Sequence, residues 1–365
     1  MHIERIELTN FRNYEKLKLN NLGNINIIIG DNGIGKTSII ESIYVASTAR
    51  TFKSNDEAVM IRNNADYFKV KLEVSDHEKI KKLDYVLTSD GKKTKINGKL
   101  KKKISDYIFQ FKVILFSPDE LKIIKESPTT RRNYLNVSLS QVNKTYIKLL
   151  NNYNILIKNK NEYLKKMFIN SNMDTMYLDV LDKKIAELGL EIYNIREDYV
   201  EKINKKIKRI FKKFKKNDSV FIEYESQFQN KSLNEILAMF KKNRNYEETI
   251  GFTKIGVHKD DLIFLHNGKN AKEYSSQGIQ KLILLSLKMA EMEVLVNDYY
   301  ESPVLLLDDL FSELDIVNQN NIINSLSNEV QVFITTTDIK NVKPNLIKKA
   351  NIIDLNGGKE NERQL

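Results

Sequence analysis

The sequence contains no cysteine, which excludes a disulfide scaffold, thiolate catalysis and cysteine-ligated zinc or iron–sulfur clusters, and fits a reducing compartment. Histidine is scarce as well. Its four copies stand at 2, 77, 258 and 266, and no two share the close spacing of a metal site. No uncharged apolar run approaches the ~18 residues of a membrane helix. Met1 leads straight into the charged, alternating stretch from His2 to Leu8, with no basic-then-apolar leader. The expectation is a soluble, cytoplasmic protein with no membrane partner. From about residue 120 to about 245, proline is absent after Pro128 and Gly189 is the only glycine, so helix breakers are missing from that stretch.

What is present is length and positive charge. The chain has 365 residues, more than the usual ~100–200 of one domain, which points to one large or two modest domains. Lysine and arginine number 59 against 48 acidic residues, a net charge of +11. Such an excess suits a polyanionic partner through counterion release, although abundant Lys, Asn and Ile would also follow from coding bias. Where the charge sits matters more than its total.

Hydrophobic periodicity divides the chain. Ile6 and Leu8 alternate as in a strand, and Ile25 to Ile29 is a nearly continuous apolar run of the kind a sheet buried on both faces needs. Ile39, Ile40, Ile43 and Tyr44 then recur at helical spacing, so residues 25–47 read as strand, loop and helix. Leu83, Tyr85 and Leu87, the Asp90-Gly91 turn, then Thr94 and Ile96 before Asn97-Gly98 read as an antiparallel hairpin. Leu139, Val142, Tyr146, Leu149, Tyr153 and Leu156 step by three and four, as do Leu178, Leu181, Ile185, Leu188, Ile192, Ile195 and Tyr199. These predict two long helices joined near Ser171–Asp174, with arms of about 40–60 Å at 1.5 Å per residue. Strand patterns return at Leu262–Leu265, Val304–Leu307, Val332–Thr335 and Ile352–Leu355. The expected organisation is an α/β domain in two pieces, 1–120 and 249–365, interrupted by a helical subdomain over 121–248.

Gly30-Asp31-Asn32-Gly33-Ile34-Gly35-Lys36-Thr37 satisfies G-x-x-x-x-G-K-[ST], after an apolar strand and at the start of a helix. Glycines let the backbone curl so that its N–H groups face phosphate oxygens, and the helix N-terminus adds partial positive charge. In this reading Lys36 reaches the β- and γ-phosphates of ATP, Thr37 ligates Mg²⁺, and Ser38 completes the loop. Val304 to Asp309 is an apolar strand ending in two carboxylates, where a phosphate-loop protein holds Mg²⁺ through one Asp. Asp308 takes that role. Asp309 fits a catalytic carboxylate that polarises water, or an ordinary loop or cap carboxylate. Ser276-Gln277-Gly278 opens another helix and fits either an anion site or a simple N-cap. Arg12, between the first strand and the phosphate loop, fits a phosphate contact or a solvated hairpin arginine.

Order strengthens the pattern. A phosphate loop, a Ser-x-Gly helix start, a strand ending Asp-Asp ~30 residues later, then Ser312-Glu313-Leu314-Asp315, resembles the layout of ABC-type ATPases. That resemblance implies that Ser276 and Gly278 of one protomer complete the nucleotide site of another. More narrowly, the chain resembles the RecF family, on Asn10-Phe11-Arg12-Asn13-Tyr14, Gly30–Thr37, Phe116-Ser117-Pro118-Asp119-Glu120-Leu121, Pro128 with Arg131-Arg132, and Tyr146 with Tyr153. It continues through Gly251-Phe252-Thr253, Gly256-Val257-His258-Lys259-Asp260-Asp261, Ser276-Gln277-Gly278 and Leu307-Asp308-Asp309. The family usually carries Pro and Arg where this chain has Val257 and Lys259. The resemblance implies a P-loop ABC-type ATPase head with an antiparallel β-subdomain and an inserted α-helical lid. It further implies a slow ATPase of recombinational repair and replication that uses ATP and Mg²⁺ and dimerises on ATP. Such a protein binds single-stranded, duplex and gapped or junction DNA, works with RecO and RecR to load RecA, and serves the DNA-damage (SOS) response.

Nine cations fall within the fifteen residues 202–216, namely Lys202, Lys205, Lys206, Lys208, Arg209, Lys212, Lys213, Lys215 and Lys216. Ile203, Ile207, Ile210, Phe211 and Phe214 interleave at helical spacing, so the apolar stripe packs inward and a basic face is left to track phosphates. Lys205, Lys206, Lys208, Arg209, Lys212 and Lys213 are the expected DNA contacts. A second cluster, Lys92, Lys93, Lys95, Lys99 and Lys101 to Lys103, decorates the hairpin; either cluster also suits a solvated surface. The rival readings are an ATPase subunit of a transporter, which expects a His after the Asp-Asp strand where Thr335-Thr336-Thr337-Asp338 stands, and a nucleotide-gated nuclease. A nuclease needs more metal carboxylates, and Asp260-Asp261, the nearest candidate, suits a strand end or salt bridge better.

Overall fold

The computed structural model describes residues 1–54, 56–76, 79–169, 174–300, 302–309, 319 and 330–356. The chain forms two compact units, Met1–Leu121 with Leu284–Leu365, and Lys122–Ile283.

The first unit holds two sheets. Strands β1 (His2–Phe11), β2 (Tyr14–Leu19), β4 (Tyr67–Asp76), β5 (Lys79–Thr88), β6 (Gly91–Ile96) and β7 (Lys99–Lys101) form an antiparallel sheet in the order β2-β1-β4-β5-β6-β7. Alternation explains it. Leu83, Tyr85 and Leu87 on β5 are buried while Asp84 and Val86 between them are half-exposed. The expected hairpin is thus β5–β6, with Leu83 opposite Ile96. The second sheet takes β3 (Ile25–Ile29), β8 (Val113–Phe116), β12 (Val304–Leu307), β13 (Val332–Thr336) and β14 (Asn351–Asp354) in the order β14-β3-β13-β12-β8, every described pair parallel. Its central strands are continuous apolar runs because both faces are covered. Helix α1 (Lys36–Thr48) follows β3 directly.

In the second unit α2 (Lys122–Lys125) and α3 (Pro128–Val142) precede α4 (Lys144–Ile169) and α5 (Met176–Phe214). At 1.5 Å per residue α4 and α5 are about 39 and 58 Å long. They run antiparallel, since Tyr163 packs on Tyr177 while Tyr146 meets Arg196. The periodic run from Leu139 to Leu156 is not one helix. Asn143 leaves the helical region at φ −131°, and its Oδ1 accepts from the Tyr146 amide at 2.8 Å, closing α3 and capping α4. Of the expected joint Ser171–Asp174, all but Asp174 falls outside the described residues.

Strand β9 (Val220–Glu225), α6 (Leu233–Ile250), β10 (Asp261–His266), β11 (Lys269–Asn270) and α7 (Ala271–Tyr274) complete this unit, and α8 (Gln277–Asp298) leaves it. Sequence reading ends the insert at 248. The unit extends to Ile283 because β10 pairs with β9, Leu262 opposite Tyr224, and so brings the following chain with it. The free edge of β9 is covered by α5, whose Asn204 donates to the Ile222 carbonyl at 2.7 Å and accepts from its amide at 2.9 Å. A buried Lys160 ties α4 to Asp182 of α5 and Glu247 of α6, each at 2.6 Å.

Candidate nucleotide-binding site

The phosphate loop lies where the carboxyl end of β3 meets α1, the crevice position of parallel α/β sheets. Gly35, the residue before α1, holds φ at 120°, and an added Cβ there would come within 2.5 Å of the Tyr14 hydroxyl. Only glycine fits both the turn and that approach. Asn13 donates to the Ile34 carbonyl at 2.9 Å and Asn356 accepts from the Asp31 amide at 2.9 Å, pinning the loop from both sides. The Lys36 ammonium lies 2.7 Å from the Gly30 carbonyl oxygen and 2.9 Å from that of Asp31.

Strand order sets the carboxylates. β13 separates β3 from β12, and Leu307 pairs with Ile334, which puts Thr335 level with Asp308. The Thr335 hydroxyl donates to Asp308 Oδ1 at 2.8 Å, Thr37 Oγ1 donates to the same oxygen at 2.9 Å, and the Asp309 amide donates to Thr335 Oγ1 at 2.9 Å. Asp308 is only 5% exposed. Burial pushes its carboxyl above the usual carboxylate range, and Asp309 adds to that push, while the Thr335 and Thr37 hydroxyls and the charge of Lys53 oppose it. A buried carboxylate whose charged form is disfavoured, touching the loop threonine hydroxyl, presents the hard oxygen donors that suit Mg²⁺. Thr37 and Asp308 therefore fit the ion.

A cavity of about 760 Å³ opens over these groups, lined among others by Asn32, Gly33, Lys36, Thr37, Ser38 and Asp309. Gly30, Asp31 and Ile34 shape the loop without lining the cavity. Arg12 lines it too, its guanidinium anchored although the side chain stays partly exposed. Nε and Nη2 grip Glu41 at 2.8 and 2.7 Å, and Nη1 donates to the Val59 carbonyl at 2.7 Å. Lys53, exposed on the loop after α1, also faces the cavity, as do Arg62, Asn63 and Asn64. No local motif marks these four; the bridge of Ile61 to Phe11, with the Arg62 amide donating to the Asn10 carbonyl at 2.9 Å, brings the last three there.

The family profile described as "RecF/RecN/SMC N terminal domain" matches residues 2–353. A protein of Acholeplasma laidlawii named DNA replication and repair protein RecF is 40% identical, covering 92% of this chain and 93% of its own. One of the same name from Oceanobacillus iheyensis is 35% identical, covering 98% and 99%. The chain belongs to the RecF family. A solved structure described as the recombination mediator protein RecF-ATP in the RecFOR pathway superposes with a TM-score of 0.88 at 31% identity, over 94% of this chain and 93% of that one. The α/β ATPase head expected from the motifs is the fold this RecF relative has.

Elsewhere in the chain, Ser276, Gln277 and Gly278 are exposed at the start of α8, with Ser276 Oγ accepting from the Ile279 amide at 3.4 Å as an N-cap. They belong to the second unit and are not among the cavity residues. The segment Ser312 to Asp315 falls outside the described residues. Asp260 and Asp261 are ion-pair partners. Arg131 grips Asp261 at 2.6 and 2.8 Å, and buried Arg196 meets Asp260 at 2.7 Å. Among the described residues no group of three or more His, Asp or Glu is placed to hold a metal, and no helix is long and apolar enough to cross a membrane.

The amphipathic reading of α5 matches its burial. Ile203, Ile207, Ile210 and Phe211 are buried, while Lys205, Lys208, Arg209, Lys212 and Lys213 are exposed and Lys206 is half-buried. The hairpin cluster is less uniform. Lys92 is taken up by Glu57 at 2.6 Å and the Ala49 carbonyl at 3.0 Å, leaving Lys93, Lys95, Lys99, Lys102 and Lys103 exposed.

Proposed function

We propose that this chain is a cytoplasmic, ATP-switched DNA-binding protein of recombinational repair and replication. The observation that carries the reading is the meeting of Thr37, Asp308 and Thr335 beneath the Lys36 loop, a buried carboxylate held by two hydroxyls where apolar side chains would pack at less cost. Bound Mg·ATP supplies the reactive phosphoanhydride and the charge neutralisation it needs. Loop amides and Lys36 hold the phosphates, Thr37 and Asp308 hold the ion, and Asp309 orients the water that attacks the terminal phosphorus as the bond to ADP breaks and phosphate leaves. Absence of a His on the β13 exit, where Thr335 to Asp338 stand, suits slow turnover.

In this reading ATP joins two copies, with Ser276 and Gly278 of one facing the nucleotide of the other. Single-stranded, duplex or gapped DNA lies along the basic face of α5. The ATP-bound dimer works with RecO and RecR to load RecA after DNA damage, and hydrolysis releases it. The relatives' names and the RecF-ATP likeness support that role. Titration with a fluorescent ATP analogue tests the pocket. The wild-type chain should bind in the micromolar range with Mg²⁺ and Lys36→Ala should not; equal binding by both would remove the nucleotide from the account.

A further inference from the structure

Helix α6 ends at Gly251, whose φ of 73° turns the chain sharply and leaves Phe252 outside, 42% exposed. Beside it Tyr246 of α6 is 53% exposed. Two ammonium groups bracket these rings. Lys254 Nζ lies 5.6 Å from the Phe252 centroid and 5.8 Å from that of Tyr246, and Lys259 Nζ lies 5.8 Å from Phe252. These distances are near the outer limit of a cation–π contact, so the rings are flanked rather than covered.

Neither lysine is ion-paired among the described residues, and the nearby carboxylate of Glu247 is spent inward. It is 1% exposed and accepts from Lys160 at 2.6 Å and from the Lys254 and Ile255 amides at 2.6 and 3.3 Å. Half-buried Arg132 adds a third cation on the same side, its Nη1 held on the Asp260 carbonyl at 2.8 Å. The crowding is felt electrostatically. Desolvation lowers the Lys259 ammonium below its ordinary value, Lys254 and Arg132 lower it further, and Glu247 opposes them only in part. Like charges gathered around exposed rings are costly unless an anion joins them.

We propose that Phe252 and Tyr246, with Lys254, Lys259 and Arg132, form a stacking platform for unpaired nucleotides. The rings offer π-faces to bases and the cations track the phosphates, the combination that single-strand binding uses without reading sequence. A duplex keeps its bases stacked inside and gains only the charge contacts. The platform therefore gives this unit a preference for single strands that the purely basic face of α5 does not supply. It rests on the DNA-binding reading above and assigns it a strand preference.

The test is fluorescence anisotropy with an oligo-dT strand and with a blunt duplex at matched salt. Phe252→Ala and Phe252→Leu should weaken single-strand binding about fivefold to tenfold, in line with one lost stack, and move duplex binding less than about twofold. Phe252→Tyr should bind as the wild type. Lys254→Gln and Lys259→Gln should each reduce the single-strand salt slope by about 0.7. Unchanged single-strand affinity in Phe252→Ala, or an equal loss on both DNAs, overturns the platform while leaving DNA binding intact. A Phe252→Ala chain that keeps its oligonucleotide affinity but loses RecR binding overturns it too, giving the patch to a protein. Failure of the wild type to bind either DNA would instead sink the DNA reading itself, and the platform with it.

Discussion

Arg12 and Glu41 form a bidentate ion pair, Nε to Oε2 at 2.8 Å and Nη2 to Oε1 at 2.7 Å, that fastens the end of β1 to the middle of α1. Glu41 is fully buried and also accepts from the Thr51 hydroxyl. The pair holds the helix that carries Lys36 and Thr37 against the loop that carries Lys53.

Glu41→Ala should therefore destabilise the protein by about 3 kcal/mol, the low end for removing one partner of a buried pair, because Arg12 is partly solvated. Chemical denaturation measures it. A loss below about 1 kcal/mol would show that the pair is incidental.

Gly35→Ala should abolish nucleotide binding, since the position needs φ near 120° and the new methyl meets Tyr14. Combining it with Tyr14→Ala removes that clash but neither the one with Asn13 Nδ2 at 2.8 Å nor the backbone strain, so binding should recover only in part. Full recovery in the double variant would mean that crowding alone dictates glycine there.

How far the sequence shows all this depends on range. The phosphate loop is a short motif, the Asp308 strand a continuous apolar run and the stripe of α5 a 3.6-residue period, all of them local patterns that appear where the spacing puts them. Asn143 shows the limit of periodicity, because one side-chain hydrogen bond splits a run that keeps its apolar spacing on both sides. Glu41, Lys53 and Asn356 carry no local signature: Glu41 meets Arg12 because the end of β1 lies against α1, and Asn356 reaches the loop because β14 pairs with β3. The domain border was hidden for the same reason, since β9–β10 pairing joins segments about forty residues apart.

His258 gives a pH dependence. Burial lowers its pKa from 6.5 to about 4, with Tyr153 Oη 2.8 Å from Nδ1. A histidine depressed in the folded state is neutral there, so the unfolded chain binds the proton first as pH falls. Its stability contribution is complete above about 6.5 and is lost on descent toward 4. Between pH 7 and 5 the wild type should lose about 2 kcal/mol more than His258→Asn. Denaturation at the two pH values, compared between the two chains, checks it; parallel losses would contradict the shift.

Replacing Lys208 and Lys212 with Gln on the exposed face of α5 should weaken duplex binding at every sequence and reduce the salt slope by about 0.9 for each lysine. Ile207 on the buried face should instead affect stability, with Ile207→Ala costing about 2–4 kcal/mol. An unchanged salt slope in the double lysine variant would move DNA off this helix.

Light scattering with and without Mg·ATP tests the switch most directly. The wild type should shift from one copy to two on adding ATP, Asp309→Asn should accumulate as the dimer, and Ser276→Arg should bind ATP yet stay single. A wild-type chain that remains single at saturating Mg·ATP, or a Ser276→Arg chain that pairs as readily as the wild type, would contradict the shared site.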